Sequence, residues 1–218
     1  MAARPPLLAP ALAFAVLTVT GIVLNRSVPR PADPAATVLA YYRDHATTVR
    51  LSATMVFAAS IALAVWVATG YGRLRELDIT GPAPAVALVG GVVSSSSLGL
   101  CGLVGWVASR SGTLDSAPVA RTLADLSFMT GGPGHVVPFA LLVAGFAVPI
   151  LLSRLVSPAV GWTGLVLAGV GVISTLTLLV PGLAYALPVA RFGGLIWLIV
   201  VSTVLPPPTT EARLRSRG

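Results

Sequence analysis

The chain has 218 residues, of which 56% are hydrophobic and only 10% are charged, and its mean hydropathy is +0.91. An ordinary soluble domain carries about 25% charged residues, and a chain of this length has too little interior to hide so much apolar surface from water. The composition therefore excludes a soluble globular enzyme. It also excludes a disordered chain, because disorder requires low hydrophobicity and high net charge. The class that remains is a polytopic membrane protein.

Six charge-poor segments are long enough to cross a bilayer as helices. A spanning helix needs about 20 mostly apolar residues, because the hydrocarbon is about 30 Å thick and a helix rises about 1.5 Å per residue. The segments are continuously apolar and lack the alternating pattern of an outer-membrane barrel. The sequence therefore predicts an all-α transmembrane bundle that forms a single domain. Its predicted spans are residues 7–25, 51–71, 85–108, 134–153, 159–180 and 187–205.

The connection after the first span carries its own helix signals. Asp33-Pro34 is typical of a helix start, with Asp33 as the capping residue and Pro34 in the first turn. The residues that follow have an apolar face at helical spacing, which comprises Val38, Tyr42, His45 and Val49. This pattern predicts a short amphipathic helix that lies on the membrane interface.

The connection after the third span has the same character. Asp115 is a candidate capping residue, and Pro118 falls in the first turn, where proline is tolerated. Val119, Leu123 and Leu126 form the predicted apolar face. We therefore predict a second short interfacial helix here.

All 14 basic residues are arginine, and the formal net charge is +7. They are scattered in ones and twos without interleaved aromatic side chains, so the pattern does not favour a nucleic-acid-binding surface. Segment 206–218 is predicted to be a short basic cytoplasmic tail that carries Arg213, Arg215 and Arg217. Together with the compact connections on its side, this tail favours cytoplasmic termini in a bacterial inner membrane, although the arginine count on the two sides is nearly equal.

The third span carries small residues at four-residue and then three-residue spacing, namely Gly91, Ser95, Gly99 and Gly102. Such a stripe lets two helix backbones approach closely. We interpret it as a helix-packing face, available to a second copy of the chain, to a membrane partner subunit or to a lipid. A polar lining for a small solute, helped by the neighbouring serines, is the less favoured alternative.

Four ionisable residues near the predicted outer side form a candidate polar pocket, because a charge near a membrane span is costly without a partner. They are His45, Asp125, His135 and Arg191. Arg191 lies about one turn inside the sixth span, where it either extends its guanidinium to the interface or pairs with Asp125 or an anionic ligand.

The segment from Thr130 to His135, with three glycines, is either a plain turn into the fourth span or an anion cradle of backbone N–H groups. The two histidines and the lone Cys101 do not have the spacing of a haem or zinc site. We therefore expect no metal, no cofactor and no catalytic residue.

Several short motifs resemble those of small six-helix membrane proteins of high-GC bacteria that carry domain-of-unknown-function labels. The segments that carry this resemblance are Tyr41-Tyr-Arg-Asp-His45, Gly132-Pro-Gly-His135, Gly161-Trp-Thr-Gly164 and Ala190-Arg-Phe-Gly-Gly-Leu-Ile-Trp197. The resemblance implies a fold and a location, and it brings no activity or substrate.

Two functional hypotheses follow from the sequence. The favoured one is a non-enzymatic accessory protein of the inner membrane that binds a partner or a lipid. The alternative is a small transporter or permease-like protein with an outward-facing polar pocket.

Overall fold

The computed structural model describes residues 7–30, 33–110 and 115–206, and within them the chain is helical without any strand. This confirms the all-α prediction. The predicted basic tail lies outside the described residues except for Pro206. The α-helices are α1 Leu8–Leu24, α2 Ala35–Asp44, α3 Ala46–Glu76, α4 Pro82–Ala108, α5 Ala117–Gly131, α6 Pro133–Leu152, α7 Pro158–Ile173 and α8 Ala186–Val204. Two short 3-10 helices, Ser174–Leu178 and Pro181–Tyr185, lie between α7 and α8.

Five helical stretches are long and apolar enough to cross a membrane, which indicates a multi-pass membrane protein by helix length and composition. They correspond to the second through sixth predicted spans. Helix α1 is apolar but has only 17 residues, a length of about 25 Å, which is the lower end of the range for a spanning helix. The five stretches are Ala46–Glu76, Pro82–Ala108, Ala117–Leu152, Pro158–Leu178 and Gly182–Val204.

Short helical segments join three pairs of long helices: α2 joins α1 to α3, α5 joins α4 to α6, and the 3-10 helices join α7 to α8. We call the end of the bundle where these segments lie the connector end. The Tyr41 hydroxyl donates to Asn25 Oδ1 at 2.7 Å and ties α2 to the end of α1. Arg50 Nε donates to Ser109 Oγ at 3.4 Å and ties the start of α3 to the end of α4.

Helix α4 packs between α3 and α6. A Cβ atom at Gly102 would lie 2.8 Å from both the Ala53 carbonyl oxygen and the Phe57 backbone nitrogen of α3. A Cβ atom at Gly90 would lie 2.7 Å from the Pro138 carbonyl oxygen of α6. Real Cβ atoms do not approach backbone atoms this closely, so the glycines set the separation of the three helices.

The predicted helix-packing face lies inside the chain. A Cβ atom at Gly91 would meet the Val67 side chain of α3, and one at Gly99 would lie 3.1 Å from Ser60 Oγ. Ser95 is 7% exposed and donates to the Val92 carbonyl of its own helix at 3.0 Å. The stripe is therefore a packing face for α3 of the same chain, so these residues are not available to a second copy, a partner subunit or a lipid.

Neither predicted acidic residue caps its helix. Helix α2 begins at Ala35 with Pro34 in the capping position, and the Asp33 carboxylate instead accepts the Arg30 N–H at 2.6 Å. Helix α5 begins at Ala117 after Ser116, with no side-chain capping bond. Both helices exist, but the carboxylate of Asp33 stabilises the preceding turn rather than the helix end.

The predicted apolar face of α5 is divided between the outside and the bundle. Val119 and Leu126 are 45% and 46% exposed, whereas Leu123 is half-buried and packs against the cluster of Val38 and Tyr42. The fully buried residues of the helix are the small Ala120 and Gly131. Small residues at a helix contact are typical of helices that pack within a membrane.

The close contact between α3 and α4 yields a stability prediction. Gly102→Ala puts a methyl group against backbone atoms that cannot move aside, so we expect a loss of about 1–3 kcal/mol in equilibrium unfolding by a denaturing detergent. Gly169→Ala in α7 is the matched control, because a Cβ there meets nothing within 4 Å. Equal stability of the two variants would contradict the packing.

Candidate functional site

A cavity of about 430 Å³ lies at the connector end. Its walls come from α1, α3, α4, α5 and the start of α8, and residues of α2 and of the α1–α2 connection also line it. Much of the lining is apolar and includes Ile22, Val56, Leu98, Phe128 and Leu187.

The charged groups around the cavity are predominantly cationic. Arg26 and Arg30 come from the exposed α1–α2 connection, Arg121 comes from α5, and Arg191 comes from α8. Asp125 is the one acidic residue of the lining. The cavity therefore combines an apolar interior with four guanidinium groups.

Arg121 is engaged with protein groups. Its Nε donates to Asp125 Oδ2 at 2.9 Å, and its Nη1 donates to the Asp33 carbonyl. Of the alternatives for Arg191, the pair with Asp125 does not occur, because Asp125 pairs with the arginine one turn before it on the same helix.

Arg191 instead contacts the end of α5. Its Nη2 donates to the Gly131 carbonyl, one of the carbonyls that a helix end leaves without an intrahelical partner. Its Nε is buried and has no hydrogen-bond partner among the described residues. Arg191 thus lines the cavity with part of its guanidinium unpaired.

His135 does not belong to the cavity. It is fully buried in the core, where its Nδ1 lies 2.8 Å from Ser94 Oγ. Its ring packs beside Phe139 and Phe14, with centroid distances of 5.4 and 6.3 Å. The prediction that His135 joins the polar pocket is wrong, because helix α6 turns this side chain toward α4 and α1.

His45 does not line the cavity either, and it is exposed, although the sequence grouped it with the apolar face of the predicted helix. It sits at the junction of α2 and α3, where its ring stacks on Tyr41 at 4.6 Å. Its backbone leaves the helical conformation there, with φ −119° and ψ 22°, so the face of α2 does not continue through it. Of the four predicted pocket residues, the cavity brings together Asp125 and Arg191 only.

The glycine-rich segment is a turn between α5 and α6. The backbone N–H groups of His135 and Val136 both donate to the Gly132 carbonyl, at 3.2 and 2.9 Å, so they are not aimed at an anion. Gly131 and Gly132 line the cavity wall. In the part of the chain that the structure describes, no three His, Cys, Asp or Glu side chains form a metal-binding group.

Several lining residues were not identified as site residues from the sequence: the three arginines Arg26, Arg30 and Arg121, and also Thr18 and Tyr42. Thr18 is 3% exposed, and its hydroxyl oxygen has no hydrogen-bond partner among the described residues. The sequence could have indicated these arginines as site residues by their position, because all three lie in segments that join long helices at the same end of the bundle.

Tyr42 is 3% exposed and lines the cavity from α2. Burial of its phenol, together with the nearby Tyr41, Cys101 and Asp125, raises the pKa of Tyr42 to about 12. The hydroxyl is therefore neutral at physiological pH.

No family model, curated protein or solved structure matches this chain.

The surroundings of Tyr42 generate a spectroscopic prediction. In a pH titration followed by the ultraviolet absorbance of tyrosinate, one of the four tyrosines should ionise at pH about 12. Tyr42→Phe should remove this step, because it removes the buried phenol. Tyr185→Phe should retain it, because the Tyr185 ring is 84% exposed. Retention of the step in Tyr42→Phe would show that α2 does not bury this side chain.

Proposed function

We propose that this chain is a non-enzymatic lipid-binding protein of the bacterial inner membrane, which holds an amphiphilic lipid molecule in the cavity at the connector end. The observation that carries the proposal is the combination of an apolar interior of about 430 Å³ with four arginines in its lining. This volume falls within the range of about 300–1,000 Å³ that is typical of small-molecule sites.

The chemistry of the lining matches an amphiphile. Leu98, Val56 and Ile22 offer apolar surface to a hydrocarbon tail, and removal of a tail from water is favourable by about 0.8 kcal/mol per CH₂ group. Guanidinium groups present several N–H donors in a planar arrangement that suits carboxylate and phosphate oxygens.

The membrane position that we propose follows from the charges and connections. Both termini face the cytoplasm, and α2 and α5 lie at the outer interface, where the cavity meets the outer leaflet. The resemblance to six-helix proteins of high-GC bacteria supports the bacterial inner membrane, and we propose that family relationship on the quoted motifs alone.

The buried polar groups favour binding over catalysis. Ser94 and His135 are close enough for a nucleophile and a base, but both are fully buried, so a substrate has no access to them. The transporter alternative grouped His135 with Asp125 and Arg191 in an outward-facing pocket, whereas His135 lies outside the cavity that the other two residues line.

A cavity-filling variant tests the proposal. Gly105 lines the cavity, and a Cβ there would make ordinary contacts with Ala53 Cβ at 3.4 Å and Ser127 Oγ at 3.9 Å. Gly105→Leu therefore adds a side chain beside the cavity without a backbone clash. Native mass spectrometry of protein purified from bacterial membranes should detect about one retained lipid molecule per wild-type chain and several-fold less on Gly105→Leu.

Gly169→Leu is the control, since it adds the same side chain where a Cβ meets nothing within 4 Å. It should retain lipid as the wild type does, and melting curves should show that both variants are folded. Equal lipid retention by all three proteins would contradict the proposal.

A further inference from the structure

We infer that the bound lipid is a single-chain amphiphile with an anionic head, a carboxylate or a phosphate, and that Arg191 binds this head. The inference rests on the proposed lipid-binding function and specifies its ligand.

Arg191 differs from the other arginines of the cavity in its surroundings. Arg121 already bonds to the Asp125 carboxylate and the Asp33 carbonyl. Arg26 and Arg30 are exposed, and exposed guanidinium groups gain little from an ion pair. Arg191 has one bond, to the Gly131 carbonyl, and a buried Nε without a partner among the described residues.

An unpaired guanidinium inside a membrane helix is costly, and such residues commonly mark binding sites. The neighbouring acidic residue, Asp125, is committed to Arg121. A bound anion would provide the counter-charge that the described residues do not place beside Arg191. Because the Nε of Arg191 is buried, an anion beside it would be attracted more strongly than one beside an exposed arginine.

Thr18 provides a second, independent observation. It lines the same cavity from α1, is 97% buried, and its hydroxyl oxygen has no hydrogen-bond partner within the described part of the chain. Ser52, which also lines the cavity, has its hydroxyl satisfied by the Gly21 carbonyl at 2.7 Å. A hydroxyl can rotate to donate to a head-group oxygen, so Thr18 and Arg191 offer unpaired donors from two walls.

The shape of the cavity favours one hydrocarbon chain. Val56 lies ten residues into α3 and Leu98 ten residues before the end of α4, so the apolar part extends about 15 Å below the connector end at 1.5 Å per residue. The total volume of about 430 Å³ is near the lower limit for small-molecule sites. Such a cavity suits one tail beneath one head.

Binding of four defined probes to the delipidated full chain in detergent tests the inference. The probes are oleate, 1-oleoyl lysophosphatidate, the uncharged monoolein and the two-chain dioleoyl phosphatidate. We expect at least one of the two anionic single-chain probes to bind at least tenfold more tightly than monoolein and dioleoyl phosphatidate. The tighter of these two probes identifies the head as carboxylate or phosphate.

Variants of Arg191 and Thr18 test whether these residues bind the anionic head. Arg191→Gln should lower the affinity for the anionic probe to that of monoolein, whereas Arg191→Lys keeps the charge and should retain part of the preference. Thr18→Val, which is nearly isosteric, should lower the anionic affinity about threefold. Arg75→Gln removes an exposed arginine at the opposite end and should bind like the wild type.

The outcomes separate the two proposals. Equal binding of anionic probes and monoolein by the wild type would overturn the anionic head and leave lipid binding intact. Equal binding of dioleoyl phosphatidate would overturn the single chain. An unchanged anionic preference in a folded Arg191→Gln variant would overturn the role of Arg191, and binding of none of the probes together with no co-purified lipid would refute the proposed function itself.

Discussion

The structure depends on the close approach of α4 to α3 and α6. Between helices in a membrane, lipid tails are as apolar as the side chains, so association relies on van der Waals packing and on small residues that admit a second backbone. Gly90 and Gly102 provide that access on two sides of α4, where a Cβ atom would collide with backbone atoms. These contacts hold the three helices together and thereby determine how the short connecting helices meet at one end.

The same rule explains why the connector end contains a cavity. Helix α5 buries its small residues Ala120 and Gly131 against the bundle, whereas Val119 and Leu126 are exposed. Gly131 and Gly132, at the break between α5 and α6, line the cavity without side chains. Arg191 from α8 donates to the Gly131 carbonyl there. The position of Arg191 is therefore set by a helix end that needs a donor, and the residue lines the cavity while its buried Nε has no partner among the described residues.

Much of the architecture was predictable from the sequence, because a segment surrounded by lipid must be apolar and a segment exposed to water can carry charges. Every predicted span corresponds to an observed helix, with boundaries displaced by one or two turns at most, and the spacing of Gly91, Ser95, Gly99 and Gly102 indicated a close helix contact. The partner of that contact was not predictable, since spacing along one helix does not say which other helix covers it.

The site was harder to predict, because it depends on how each helix is rotated about its axis. The two histidines were grouped with Asp125 by their distance from predicted span ends, but α6 turns His135 into the core and the α2–α3 junction leaves His45 outside. The Arg121–Asp125 pair obeys the local four-residue rule for helices and was available from the sequence alone. Because this local pair uses the Asp125 carboxylate, the alternative in which Asp125 pairs with Arg191 does not occur.

A disulfide between α3 and α4 tests the central packing directly. A Cβ at Gly99 would lie 3.7 Å from Ser60 Cβ, which matches the mean of about 3.8 Å in disulfides. In a Cys101→Ala background, the Ser60→Cys/Gly99→Cys variant should form an intramolecular disulfide in native membranes under mild oxidation, whereas Ser60→Cys/Gly169→Cys should not. A failure of the first variant to cross-link, or cross-linking only between two chains, would contradict the account.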